Sequence, residues 1–249
     1  MDLLKPILDS VLHQTISVDH IEINIPYKCL RTGEDYRIPE WLENMDKVLI
    51  FRTTDYGAIT KIAPTLLRHR GESIGIWSID DDIIYPPNSL EILYKVFDPF
   101  GTTIVCAIGT LITNCEKKYY SKDQQVMMLE ASHGVLYTTS CIFDDFESYV
   151  EKTSLNLDSR KSDDVILSNY FALKGIPIVQ KTLLGNGIPN VHTNETSQSN
   201  HKDALWLQDT GHSIRYIRVL KYLKSSGLLA SSWDKALIKR IGFPFNLKH

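Results

Sequence analysis

The spacing of apolar residues switches between two periods along this chain, and each switch marks an element. Leu4, Ile7, Leu8, Val11 and Leu12 fall three and four apart, which predicts an amphipathic helix over "LLKPILDSVLHQT"; "HIEINIPY" then reads as a short strand stopped by Pro26. "DKVLIFRT" predicts a second strand, and beyond the turn residues "DYG" a helical stretch puts Ile59, Ile62, Leu66 and Leu67 on one face. "SIGIWSI" is an almost unbroken apolar run, the pattern of a central strand covered on both sides. The helix "NSLEILYKVF" follows, with Asn88 as its expected cap.

Further along, "TTIVCAIGTLI" reads as a strand, residues 114 to 124 as a polar loop, and "QVMMLEAS" and "HGVLYTTSCIF" as further extended segments. "SDDVILSNYFALKG" predicts a helix capped by Ser162 and ended by Gly175; "IPIVQKTL" returns as a strand, and residues 186 to 204 read as loop. No internal repeat or low-complexity segment interrupts this order. The alternation predicts an α/β domain over residues 1–205 with a mostly parallel, doubly wound sheet, followed by a helical extension over 206–249.

Composition refines the picture. At 249 residues and 43% hydrophobic content the chain can bury a sizeable core. Its net charge of −3 hides an asymmetry: residues 211 to 249 hold eight basic residues against Asp234 alone, a net of +7, which leaves 19 basic against 29 acidic residues before them, a net of −10. In that basic tail Tyr216, Val219, Leu220 and Leu223 form an apolar stripe. The tail could meet anionic lipid headgroups or pack on the acidic main domain, and packing is the expectation. No apolar run approaches the ~18 residues of a membrane span, and the first residues lack a basic segment followed by an apolar core, so a cytoplasmic protein, at most peripheral at a membrane, is expected. Cys29, Cys106, Cys115 and Cys141 are scattered without a CxxC pair, which predicts reduced, packed thiols. P-loop, GxSxG, HExxH and Rossmann glycine patterns are missing, so NTPase, serine hydrolase, zincin and dehydrogenase readings lack support. Nucleic-acid binding would rest on the tail alone and is not expected.

The candidate chemistry centres on Asp80, Asp81 and Asp82, where "IWSIDDDIIYP" leaves the apolar run. Adjacent carboxylates raise one another's pKa unless a positive charge sits among them. In open α/β sheets ligands bind beyond the carboxyl ends of strands. With the chain extended there, Asp80 and Asp82 would share one face and Asp81 would take the other. Two carboxylates on one face suit Mg2+ or Mn2+, which leave positions open for phosphate oxygens. The plainer reading is a solvated acidic turn ahead of the next helix.

In the order "LKPILDSVLHQT", "DYGAITK", "SIDDDIIYP", "HGVLYTTSCIF" and "SDDVILSNYFALKGIPI", the chain resembles glycosyltransferases of the GT-A fold, the family-2-like group and its relatives, over about residues 3 to 192. The resemblance implies transfer of a sugar from a nucleotide-sugar donor to a glycan, lipid-linked or protein acceptor. It implies a DxD-type site in which Asp80 and Asp82 hold Mn2+ or Mg2+ on the donor diphosphate, with Asp81 beside the donor. It also implies Asp55 toward the base or ribose, Lys61 toward the diphosphate, and His192 as a late third metal ligand, with His201 and His212 as rivals. The acid pair after the acceptor loop implies an inverting transfer with Asp164 as general base and Asp163 orienting the acceptor or the helix. Gly134 would let the acceptor segment "ASHGVLYTTS" approach closely. The resembling enzymes open with a strand before their first helix, whereas this chain starts at the helix, which implies either further chain upstream or a pocket completed differently. Two other classes stand beside this one: a nucleotidyltransferase, which should show a glycine-rich basic loop near its start, and a catalytically silent sugar- or nucleotide-binding module.

Overall fold

Along Ile104–Thr113 successive side chains turn to opposite sides of a sheet: Ile104 and Cys106 enter the larger core, Val105 and Ala107 a smaller one on the other face. That period of two needs cover on both sides, and helices supply it. A computed structural model describes residues 4–113, 116–119, 123–181, 192–193 and 212–234. In chain order the elements are α1 (Lys5–Leu12), β1 (Ile21–Pro26), α2 (Glu40–Glu43), β2 (Val48–Thr53), α3 (Ala63–Arg68), β3 (Gly75–Ser78), β4 (Ile83–Ile84), α4 (Ser89–Tyr94), β5 (Ile104–Thr113), β6 (Glu116–Tyr119), β7 (Gln124–Val126), β8 (Met128–Thr138), α5 (Phe146–Ser154), α6 (Asp163–Leu173), β9 (Ile178–Gln180), β10 (His192–Thr193) and α7 (His212–Ser225).

The protein is α/β, but the expected mostly parallel sheet is replaced by a mixed one. Its strand order is β3-β8-β5-β9-β7, with β6 paired to β5. Only β5 and β9 run parallel there; β3–β8, β5–β8, β5–β6 and β7–β9 are antiparallel. The reason is connectivity. From β5 to β8 the described chain forms no crossover helix, and strands joined without one return antiparallel. "SIGIWSI", read as a central strand, becomes β3 at the end of this sheet, where among the described strands it pairs with β8 alone. "QVMMLEAS" and "HGVLYTTSCIF" are divided differently too: residues 124–126 form β7, and 128–138 run on as the single strand β8.

β1 and β2 form a separate parallel pair, in register from Ile21↔Val48 to Pro26↔Thr53. Two strands alone are marginal in water, and helices compensate. Leu8 of α1, Ile25 of β1 and Leu42 of α2 make a small core with Trp41, Val48 and Ile50 against it. On the other side Asn24 Nδ2 donates to the Lys61 carbonyl at 3.2 Å and to Thr65 Oγ1 at 2.9 Å, tying β1 to the turn before α3.

Helix caps also depart from expectation. Neither Asn88 nor Ser162 makes a side-chain cap hydrogen bond. At α4 the Leu90 N–H donates instead to Gln14 Oε1 at 3.0 Å, while Gln14 Nε2 donates to the Pro86 carbonyl at 2.8 Å, so a distant residue closes the helix end. The stripe of α7 is buried: Tyr216, Val219, Leu220 and Leu223 join the larger core beside Val165, Tyr170 and Phe171. What would have met a membrane is therefore covered by the protein itself. The division at 205 and 206 lies outside the described residues. Cys106 and Cys141 are buried free thiols and Cys29 is a partly exposed one; Cys115 is outside the described residues. No helix among the described residues is long and apolar enough to cross a membrane.

Candidate functional site

The positive charge among the acids is a lysine. Lys61 ends the single turn Ala58–Lys61, two residues before α3, and its ammonium lies 2.5 Å from Asp80 Oδ1 and 2.9 Å from Asp163 Oδ2. Partial burial alone would push Lys61 below its usual range; Asp163 and Asp80 outweigh it and hold the ammonium well above that range. An acid from the end of β3 and one from the first turn of α6 thus meet on one cation. The lysine expected to face a phosphate already has two counter-charges within the chain.

The acid triplet is not extended. Residues 81 and 82 form a turn between β3 and β4, so the alternation expected to align Asp80 with Asp82 does not hold there. Tyr85 marks the centre of the segment instead: its hydroxyl accepts from the Asp80 N–H at 3.0 Å and donates to the Ser132 carbonyl at 2.9 Å. Burial, joined by the charges of Asp80 and Asp82, pushes that hydroxyl above its ordinary range. Asp81 is exposed. The backbone of His192 pairs with Ile84 in the β10–β4 ladder, two residues beyond Asp82.

Facing this turn is a bulge. Between Cys106↔Val135 and Ile108↔Glu130, residues 131–134 of β8 stand opposite Ala107 alone. Bulges of this kind re-aim side chains beside functional sites. Here the bulge carries Ala131, whose N–H donates to Asp164 Oδ1 at 2.8 Å, Ser132, and His133, whose Nδ1 lies 2.8 Å from Ser132 Oγ. Burial draws the His133 imidazole below its usual range, with the Asp80 charge opposing. Gly134 closes the bulge at φ +96°, and a Cβ there would lie 2.7 Å from Trp77 Nε1, so this glycine lets β8 pass close to the Trp77 indole.

Asp163 and Asp164 part company at the start of α6. Asp163 is buried against Lys61, whereas Asp164 accepts from Ala131 and from the Tyr216 hydroxyl of α7 at 3.2 Å. Burial, with the charges of Asp163 and Glu130, pushes the Asp164 carboxyl well above the usual range. Asp55 is also committed within the protein. Its Oδ1 accepts from Gly57 N–H at 2.7 Å and from Arg160 Nη2 at 2.8 Å, and its Oδ2 from Leu30 N–H at 2.8 Å. Arg160 Nη1 also donates to the Asp55 carbonyl at 2.9 Å, so one guanidinium pins the turn.

Gly57 sits at φ +84°, and a Cβ there would lie 2.2 Å from the Arg160 carbonyl oxygen. Gly57→Ala is therefore expected to destabilise the fold by at least about 1–3 kcal/mol through backbone strain, measurable as a lower urea midpoint at unchanged slope.

Asp80, Asp163 and Lys61, each expected from the sequence near the donor or acceptor, meet in one ion-paired cluster, whereas Tyr85, His133, Arg160 and the Tyr216 hydroxyl beside it were not singled out. Tyr85, three residues past the triplet, was the one with a local signal; the others reach the site only through folding. The chain matches no protein-family model and no curated protein.

Proposed function

We propose that this protein transfers a sugar from a nucleotide-sugar donor to an acceptor hydroxyl on a glycan, lipid-linked or protein substrate, with inversion and with Mn2+ or Mg2+ beside Asp80 and Asp82. The observation that carries this reading is the Lys61 bridge, which joins the acids after β3 to the acid pair opening α6, next to the 131–134 bulge. The reading includes a GT-A-like arrangement around the mixed sheet, with these loops gathered beside β3 and β8.

Asp80 and Asp82, carboxylates on one turn, would hold the ion, joined by His192, whose backbone pairs with Ile84 in the β10–β4 ladder. When bound, that ion offsets charge on the departing nucleoside diphosphate. Lys61 holds Asp80 and Asp163 in place by pairing with both carboxylates. Asp55, clamped by Arg160, fixes the loop that borders base and ribose, and exposed Asp81 faces the donor side. Asp164, with its raised proton affinity, takes the proton from the acceptor hydroxyl, and Asp163 orients the start of α6.

The test is a panel of nucleotide sugars with Mn2+, scored for released nucleoside diphosphate and paired with nucleotide titrations. At least one donor should turn over, and Asp82→Ala should remove both turnover and the effect of metal on nucleotide affinity. A panel with no turnover, or nucleotide affinity equal with and without EDTA, would overturn the reading.

A further inference from the structure

At the amino end of β1, two imidazoles converge on one carboxylate oxygen. Glu22 Oε1 lies 2.7 Å from His69 Nε2 and 3.2 Å from His20 Nε2. All three ligand atoms lie within 4.8 Å of one another. His20 comes from the loop before β1, Glu22 from β1 itself, and His69 caps the carboxyl end of α3.

We propose that His20, Glu22 and His69 form a binding site for a transition-metal ion of the Zn2+ class, a site independent of the sugar-transfer reading. Two imidazole nitrogens and one carboxylate oxygen are the ligand types such an ion takes, with a fourth position left for water. Metal–nitrogen bonds of about 2.0–2.1 Å in a tetrahedron set ligand atoms about 3.3 Å apart, so the 3.2 Å pair already has the right separation and the 2.7 Å pair needs a shift of about half an ångström.

The surroundings match as well. His69 Nδ1 lies 2.9 Å from Glu72 Oε2, the outer carboxylate that commonly orients a metal-bound imidazole. Glu22 Oε2 is taken by Arg68, whose Nη2 also donates to Asn24 Oδ1 and Thr65 Oγ1 at 2.9 Å each, so the carboxylate is held with Oε1 toward the histidines. The His20 side chain is 38% exposed, which gives the ion a way in. Arg68 weakens binding by its charge while fixing the ligand. Because Glu22 lies on β1 and His69 ends α3, a bound ion would clip strand to helix.

The test is calorimetric titration of tag-free protein with Zn2+ and a visible spectrum with Co2+. One Zn2+ is expected at this cluster, with the intense bands of tetrahedral Co2+, and any binding at Asp80 and Asp82 separates from it as the part lost in Asp82→Ala. His20→Ala and His69→Ala should each weaken Zn2+ binding at least tenfold, Glu72→Gln about 10–100-fold, and Asp82→Ala should leave it unchanged. His20 is exposed, so its variant keeps the test valid even where His69→Ala unfolds. No saturable Zn2+ binding, binding indifferent to His20→Ala, or loss of the site in folded Asp82→Ala would each overturn the assignment.

Discussion

Asp164→Asn is expected to lower turnover by about 10²–10⁴-fold, the contribution of a placed general base, while making the folded protein more stable at neutral pH. Both effects have one cause. Burial and the charges of Asp163 and Glu130 raise the proton affinity of Asp164, with Lys61 and the Ala131 N–H opposing. A raised pKa makes the carboxylate a better proton acceptor, so turnover should climb as pH rises through the folded value and fall below it. For stability the sign is opposite. The folded chain holds this proton to higher pH than the unfolded chain, so between the two values the native state binds more protons and stability declines as pH rises. Asparagine cannot ionise, keeps an oxygen for the Ala131 N–H, and removes that decline. Calorimetric melting across pH should show a higher Tm for Asp164→Asn above the ordinary carboxylate range, converging with the parent below it. Asp163→Asn at matched stability should cost less turnover, and the product anomer read by NMR should be inverted. Near-normal turnover in Asp164→Asn, or retained configuration, would sink the assignment.

Lys61→Met is expected to be the most damaging single change to stability among the site residues. It leaves Asp80 and Asp163 without the cation that lies 2.5 and 2.9 Å from them. Removing one partner of a buried ion pair strands the other charge, and with the Lys61 side chain 25% exposed the expected loss is on the order of 2–4 kcal/mol. Asp163→Asn in the Lys61→Met background should recover part of that loss, because the repulsion disappears with the second charge. Urea unfolding of the four proteins closes a double-mutant cycle. A Lys61→Met protein as stable as the parent, or losses that simply add, would show that the bridge does not stabilise the site.

Much of this protein is legible in its pattern of residues. Apolar spacing located α1, the flanking Ser162 and Gly175 located α6, the apolar run located β3, and the acids that follow it were legible as a cluster needing a counter-charge because three like charges repel. Local sequence could also place Gly57 at a turn. It could not show the compensating charge. Lys61 lies 19 residues before Asp80 and 102 before Asp163, and only the folded chain brings the turn before α3, the end of β3 and the start of α6 together.

The same limit explains the sheet. Alternation of strands and helices suggests parallel pairing, yet pairing direction is set by whether a helix crosses between two strands, and the route from β5 to β8 has none among its described residues. The clamp of Arg160 on Asp55, the 131–134 bulge and the reach of Tyr216 to Asp164 likewise join residues far apart in the chain. What the sequence alone determined is each segment's periodicity and the chemical types available at its ends, because these follow from neighbours a few residues away. Which charges meet, which strand lies at the edge and which carboxylate becomes the stronger base were decided by the tertiary structure, since each depends on distances and burial that exist only once the elements are packed.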